Sequence, residues 1–72
     1  MAFKDNMKYA RKNKGWNQKE AAEKLGIKVH NIGAYEEGRA EPKFDNLQKI
    51  ISGYSIPDVD LHTFLYGNFQ FL

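Results

Sequence analysis

The chain of 72 residues contains no cysteine, which excludes disulfide bonds and thiolate metal sites. It also lacks an apolar run near the about 20 residues of a membrane-spanning helix, and its N-terminus has no signal-peptide core. We therefore expect a cytoplasmic protein that does not associate with a membrane. Its stability has to come from packed apolar side chains, because so short a chain is close to the lower limit for an independent core.

The net charge of the chain is also small, at +2. It is unevenly distributed: residues 1–43 carry ten Lys and Arg against six Asp and Glu, whereas residues 44–72 carry one Lys against three Asp. A basic N-terminal part is typical of a solvated protein surface, and it is also what a polyanion would bind. Charge alone leaves both alternatives open.

Apolar residues recur at helical spacing along most of the chain. They predict five short helices around one core, with no internal repeat and no low-complexity segment. The predicted helices are one from Phe3 that closes at residues 13–15, one that Asn17 caps and Gly26 ends, one from about Lys28 to Glu37, one from Phe44 to near Gly53, and one over residues 61–65. The fourth is amphipathic, and the apolar residues expected on its inner face are Phe44, Leu47, Ile50, Ile51 and Tyr54.

Residues 17–36 contain two of these helices and a tight glycine turn. Asn17 and Glu20 have the spacing of a capping box at the start of the first. Gly26 supplies the turn, and the small Ala21 and Ala22, both expected on the inner side, let another helix approach closely. This is the geometry of a helix-turn-helix, whose second helix presents its outer face to a groove, and equally of an ordinary helical hairpin.

Two carboxylates, Glu36 and Glu37, lie in the last turn of the third predicted helix, where they oppose the helix dipole. At least one of them should have a cationic partner. Arg11, the single arginine of the first helix, is the natural candidate, because a planar guanidinium suits a partly buried bidentate pair better than a lysine does. We predict a structural ion pair between Arg11 and Glu36.

Several further residues match one family pattern, namely Arg11, residues 15–20, Ala22, residues 25–27, Ile32, Tyr35, Glu36, Gly38 and Pro42. With them the chain resembles the Xre, Cro and phage-repressor family of helix-turn-helix DNA-binding domains. The resemblance runs from Met7 to about Leu47 and more loosely to Leu65. It implies an all-α, five-helix, lambda-repressor-like domain over residues 1–66, with the helix-turn-helix at helices two and three, followed by a C-terminal tail over residues 67–72.

The resemblance further implies a dimeric transcriptional regulator, a repressor, whose third helix enters the major groove of double-stranded DNA. The position of Gln18 would anchor a backbone phosphate, and the loop from Arg39 to Lys43 would contact the backbone again. The DNA-contacting residues that it implies are Asn17, Gln18, Lys28, Val29, His30, Asn31, Ala34, Arg39 and Lys43. The residues themselves offer no nucleophile–base pair, metal cluster or phosphate-binding loop, so neither an enzyme, a cofactor nor a small-molecule substrate is expected.

The outer face of the third helix departs from the family pattern. Val29, Gly33 and Ala34 are expected there, and they carry no side-chain hydrogen-bonding groups. Glu37 on the same side would repel phosphate unless it points away or contacts a cytosine amino group. We therefore expect modest direct readout, led by His30. A protein-interaction module of the same fold, antitoxin-like or a co-activator partner, is the alternative function.

The end of the chain is rich in apolar residues for its length. They either cover the core of the monomer or pair with a second copy, and we expect a homodimer through this region. The residues concerned are Leu61, Phe64, Leu65, Tyr66, Phe69 and Phe71.

Overall fold

The computed structural model describes residues 3–71. Within that range the chain forms five α-helices, one 3-10 turn and no β-strand. The helices are α1 Phe3–Asn13, α2 Gln18–Leu25, α3 Val29–Glu37, α4 Phe44–Gly53 and α5 Leu61–Tyr66, and the 3-10 turn Asp58–Asp60 directly precedes α5. The predicted all-α architecture with five helices is confirmed.

Both ends of α2 are set by local sequence. The Asn17 side chain accepts a hydrogen bond from the backbone N–H of Glu20 at 2.8 Å, and the Glu20 carboxylate accepts one from the N–H of Asn17 at 2.8 Å. The predicted capping box is therefore present. Gly26 adopts a left-handed conformation with φ of 72°, which glycine tolerates and which ends the helix.

One core joins all five helices. α3 packs against both α1 and α2, while α4 packs against α2 and α5 against α1. At about 1.5–3 kcal/mol for each fully buried large apolar side chain, this core is the main source of stability. Its fully buried members are Met7, Ala10, Ala21, Ile32, Ile50, Tyr54 and Phe64.

The packing of α4 against α2 depends on a residue without a side chain. Gly53, the last residue of α4, lies against Leu25, the last residue of α2. A methyl group at Gly53 would overlap the end of the Leu25 side chain. The two helices therefore approach closely at their C-terminal ends.

The fourth helix exposes more apolar surface than its sequence predicts. Phe44, expected on the inner face of that helix, is 71% exposed, whereas Ile50 is fully buried. Phe44 is the first residue of α4, and the face it occupies in that first turn is not covered by another helix. The inner-face prediction for Phe44 is wrong.

Asn6 connects α1 with the end of the chain. It is 1% exposed, and its side-chain amide donates to the carbonyl oxygens of Phe64 at 2.8 Å and Gly67 at 2.9 Å. Its Oδ1 accepts a hydrogen bond from the backbone N–H of Phe69 at 3.2 Å. A single buried amide thus satisfies backbone groups at the C-terminal end of α5, where a helix leaves carbonyls without partners.

The tail predicted over residues 67–72 packs against α1 as far as it is described. Phe69 is 2% exposed, and the N–H of Phe71 donates to the Tyr9 hydroxyl at 3.1 Å. Phe69 and Phe71 therefore contact the helices that precede the tail, and Leu72 lies outside the described residues. Of the apolar residues that were expected either to cover the core or to pair with a second copy, Phe64 and Phe69 belong to the core of the monomer.

None of the helices in the described range could cross a membrane. The longest, α1, has 11 residues, which corresponds to about 16 Å at 1.5 Å per residue. No helix within residues 3–71 combines the length and the apolar character that a span requires.

Candidate nucleic-acid interface

The two helices of the predicted hairpin are joined by a three-residue turn, Gly26 to Lys28. Ile27 in the middle of this turn is 5% exposed and anchors it in the core. Its N–H donates to the carbonyl oxygen of Ala22 at 3.1 Å. A buried anchor and a short turn fix α3 relative to α2, which is the arrangement a helix-turn-helix requires.

A buried ion pair holds α3 to α1. Arg11 Nε lies 2.8 Å from Glu36 Oε2, and Arg11 Nη2 lies 3.1 Å from Glu36 Oε1, so the pair predicted from the sequence is present and bidentate. Arg11 Nη1 also donates to the carbonyl oxygen of Trp16 at 2.8 Å. The hydrogen bonds with Glu36 raise the pKa of Arg11 above its ordinary value, although burial acts in the opposite direction.

Gln18 extends this network to α2. Its Nε2 donates to Glu36 Oε1 at 3.2 Å, an interaction that the sequence did not suggest. Since a carboxylate only accepts hydrogen bonds, the Gln18 amide nitrogen must face Glu36 and its oxygen must face away. Gln18 is half-buried, and its second amide hydrogen is left for another acceptor. Glu36 therefore links α1, α2 and α3 through Arg11 and Gln18.

The N-terminal half of α3 carries the accessible side chains of the outer face. Val29 is 48% exposed, His30 is exposed and Asn31 is half-buried. Lys28 precedes the helix as its N-cap, is exposed, and makes no side-chain hydrogen bond to the first turn. These four consecutive residues lie at one end of α3, where N–H groups of the first turn favour an anion.

The structure corrects another part of the predicted outer face. Gly33 and Ala34 are buried, and Ala34 is only 5% exposed. Because α3 packs against both α1 and α2, the five residues 32–36 form an unbroken buried run. The prediction that Gly33 and Ala34 lie on the outer face is wrong, and Ala34 presents almost no surface for the DNA contact expected of it.

The loop after α3 contributes two exposed cations. Arg39 Nε lies 2.9 Å from Glu37 Oε1, and both side chains are exposed. Lys43 is exposed at the N-cap of α4 and makes no side-chain capping bond. The pairing of Arg39 with Glu37 was not predicted, although their spacing across Gly38 gives a signal, because a left-handed residue folds the chain back on itself.

The described residues contain no group of three or more His, Cys, Asp and Glu side chains that could hold a metal ion. His30 is in α3, whereas His62 is in α5, where its ring lies 5.1 Å from that of Tyr66. The hairpin exposes the carboxylates of Glu20, Glu23 and Glu37, and beside them it exposes cations, amides and one imidazole. The last three kinds of group hydrogen-bond to phosphates and to base edges.

Comparison with known proteins identifies the hairpin. The sequence profile of the helix-turn-helix family matches residues 7–61. The chain belongs to this family. This result confirms the predicted resemblance and the predicted helix-turn-helix fold, because the matched range contains α2, the turn and α3 entirely.

Two curated relatives show how far the similarity of this helix-turn-helix domain extends. The HTH-type transcriptional regulator ImmR of Bacillus subtilis (strain 168) is 39% identical over 56 residues, which cover 78% of this chain and 44% of the relative. The SPbeta prophage-derived uncharacterized HTH-type transcriptional regulator YonR of the same organism is 40% identical over 48 residues, which cover 67% of this chain and 44% of the relative. The chain therefore spans less than half the length of either relative.

Proposed function

We propose that this protein regulates transcription by binding double-stranded DNA sequence-specifically, with α3 in the major groove. The observation that carries this proposal is the hydrogen-bond network at Glu36. Through Arg11 and Gln18 it holds α3 to α1 and α2, while the first residues of α3 stay accessible. A rigid helix with an exposed N-terminal half is what major-groove docking needs. The names of both relatives, HTH-type transcriptional regulators, support the same function.

We divide the contacts into phosphate-binding and base-binding groups. Lys28, Arg39 and Lys43 are exposed cations that would meet backbone phosphates. Asn17 and Gln18 lie at the N-terminus of α2, which also favours an anion.

Base recognition would come from residues 29–31 of α3. His30 offers one donor and one acceptor to a base edge, Asn31 offers an amide, and Val29 packs against a thymine methyl group. Since Ala34 is buried, we assign it no base contact. The remaining set is small, so phosphates would supply much of the affinity.

Salt dependence tests the phosphate contribution. Three phosphate-binding cations per bound copy predict that log K falls against log salt concentration with a slope of about −3, since each contact contributes about −0.9. Fluorescence anisotropy of a labelled duplex measures this slope when the salt concentration is raised from about 50 to about 200 mM. A nearly flat dependence contradicts the assignment.

Selection of bound duplexes from a random pool tests sequence specificity. We expect a palindromic consensus whose half-sites lie about 10 base pairs apart, because two copies related by a two-fold axis contact one face of the duplex. His30→Ala should weaken binding to the consensus more than to random duplex, whereas His62→Ala in α5 serves as the matched control. No enrichment with folded protein would favour a protein-contact module of the same fold.

We also propose a homodimer that uses the C-terminal part of the chain. Within the described range, Val59 is 91% and Tyr66 is 71% exposed, which leaves apolar surface beside the 3-10 turn and α5. Tyr66 also borders a shallow groove that Phe3, Pro42, Leu47 and Leu65 line together with Glu41. Two copies bound to adjacent half-sites would cover such surface.

Light scattering in solution tests the dimer. The wild-type mass should correspond to two chains, and Val59→Lys or Tyr66→Lys should shift it towards one chain. Gln48→Lys adds the same charge at an exposed position of α4 and should leave the mass unchanged. A wild-type mass of one chain, both free and on a half-site duplex, contradicts the proposal.

The cellular role follows from DNA binding. We propose that the protein acts as a repressor in the cytoplasm, where a dimer seated on a promoter excludes polymerase. A reporter gene behind the selected site should be less active when the protein is produced, and His30→Ala should restore its activity. Increased reporter activity would indicate an activator instead.

A further inference from the structure

Glu37, the last residue of α3, forms an ion pair with Arg39 in the free protein. Its Oε1 accepts a hydrogen bond from Arg39 Nε at 2.9 Å. Gly38 between them has φ of 76° and turns the chain back, which brings the two side chains together. The pair is solvent-exposed, with side-chain exposures of 54% for Arg39 and 60% for Glu37.

The other carboxylate oxygen of Glu37 lies beside α2. A methyl group placed on Gly33 would be 3.8 Å from Glu37 Oε2 and 3.7 Å from Gln18 Oε1. Both oxygens therefore lie over the same point of α3, next to the first residue of α2. The Gln18 oxygen is directed there because its amide nitrogen is held by Glu36.

This arrangement places a negative charge beside an exposed cation. Arg39 is within hydrogen-bonding distance of Glu37 and would otherwise attract another anion. A phosphate that approached Arg39 would meet the Glu37 carboxylate already bound to it. The carboxylate and the phosphate are both acceptors of the same guanidinium hydrogens.

We propose that Glu37 competes with DNA phosphate for Arg39 and thereby limits the affinity of this domain for every duplex, whatever its sequence. The inference rests on the proposed DNA binding and adds to it a residue that sets affinity without contacting a base. Because exposed ion pairs are weak and screened by salt, the exchange of Glu37 for phosphate is easy and occurs at equilibrium.

Glu37→Gln tests the competition by keeping the size of the side chain and removing its charge. We expect about a threefold gain in affinity, and at most about fivefold, equal for the selected site and for random duplex, because an exposed ion pair is weak. The slope of log K against log salt should stay near −3 per bound copy, about the value for three phosphate contacts, because Arg39 contacts a phosphate in both bound proteins.

A double-mutant cycle with Arg39→Gln separates exchange from simple repulsion. The gain from Glu37→Gln should largely disappear when Arg39 is already replaced, because there is no guanidinium left to release. Glu23→Gln, an equal change of charge at an exposed position of α2, is the control and should change affinity less than twofold, about the limit expected of a distant exposed charge.

Four results would overturn the inference. Equal gains from Glu37→Gln and Glu23→Gln would show an effect of net charge alone. A gain that persists in full without Arg39 would show repulsion without exchange. A loss of affinity confined to the selected site would show that Glu37 binds a base, such as the cytosine amino group. Wild-type protein that binds no duplex would remove the proposed function, and this inference with it.

Discussion

Arg11 and Glu36 connect α1 with α3 through an ion pair whose two charged groups are almost completely buried. The side chain of Glu36 is 1% exposed and that of Arg11 is 11% exposed. Each charge is compensated by the other and by neutral partners, Gln18 for Glu36 and the Trp16 carbonyl for Arg11. Such a pair costs desolvation to form, but removing one partner leaves a buried charge alone.

Arg11→Met should therefore destabilise the domain strongly. We expect a loss of about 3–5 kcal/mol in the free energy of unfolding, because Glu36 is left buried without its cation. Urea denaturation followed by circular dichroism measures the loss. Lys12→Met, at the exposed neighbouring position, should change the same quantity by no more than about 0.5 kcal/mol; equal losses in both variants contradict the prediction.

Tyr54 provides a pH-dependent test. Its hydroxyl is buried, with no hydrogen-bond partner among the described residues, and burial, followed by the charge of Glu36, raises its pKa above the ordinary value of 10.0. Above about pH 10 the unfolded chain loses this proton while the folded chain keeps it. Stability therefore falls as pH rises, because the unfolded state then binds fewer protons.

Tyr54→Phe should remove that part of the alkaline destabilisation. Below about pH 9 the variant should be as stable as the wild type or more stable by up to about 1 kcal/mol, since no hydrogen bond is lost. Above about pH 10 its advantage should widen. Urea midpoints of both proteins, measured from below about pH 9 to above about pH 10, give the difference, and parallel pH curves would show that Tyr54 does not titrate as described.

Single residues also show why the sequence predicted only part of the site. The Arg11–Glu36 pair could be predicted because a carboxylate in the last turn of a helix is unfavourable for a local reason. The burial of Ala34 could not, because periodicity identifies which residues share a face and does not say how many neighbouring helices cover it. The Glu37–Arg39 pair depends on the left-handed turn at Gly38.

At the scale of elements, two glycines in helices have opposite roles. Gly53 lies at the contact of α4 with α2, where a methyl group would overlap Leu25. Gly33 in α3 has ordinary van der Waals space, since a methyl group there would be 3.7 Å or more from its neighbours. The same substitution should therefore have opposite effects at the two positions.

Gly53→Ala should destabilise the domain by about 1–3 kcal/mol, because the buried end of Leu25 has to move. Gly33→Ala should instead stabilise it by up to about 1 kcal/mol, the difference in helix propensity between alanine and glycine. Thermal unfolding of the two variants beside the wild type measures both effects. Stabilisation by Gly53→Ala would mean that Leu25 rearranges without cost.

The bounds of the helices could be predicted closely because the signals are local. The capping box at Asn17 and Glu20 and the glycines at 26 and 38 are adjacent in sequence to the helix ends they determine. The exposure of Phe44 and the close contact at Gly53 depend on which elements pack together. No local pattern contains that information.

At the scale of the whole molecule, Asn6 closes the fold. Its partners are 57 to 63 residues away in sequence, and a polar residue on a predicted amphipathic helix gives no sign of them. It connects α1 to the end of α5 and to the segment that follows. The described part of the tail is therefore packed against α1, and Phe69 belongs to the core.

Asn6→Ala should destabilise the whole domain. It leaves the carbonyls of Phe64 and Gly67 and the N–H of Phe69 without their partner, and unpaired buried polar groups cost about 1–3 kcal/mol each. We expect a loss of at least about 2 kcal/mol in the free energy of unfolding from urea denaturation. Asn68→Ala, exposed in the same tail, should change the stability little; a similar loss in both variants contradicts this role of Asn6.

The hydrogen bonds of Asn6 with the end of the chain also affect when the fold can form during synthesis on the ribosome. Asn6 leaves the peptidyl-transferase site early, but its backbone partners are about 60 residues later in the chain, which is about 3–12 s at common elongation rates. Throughout that interval the amide of α1 has no native partner. The hairpin of α2 and α3, to which Arg11 fixes α1, is translated well before the contacts of Asn6 can form, so the native fold becomes complete only after Phe69 has been made.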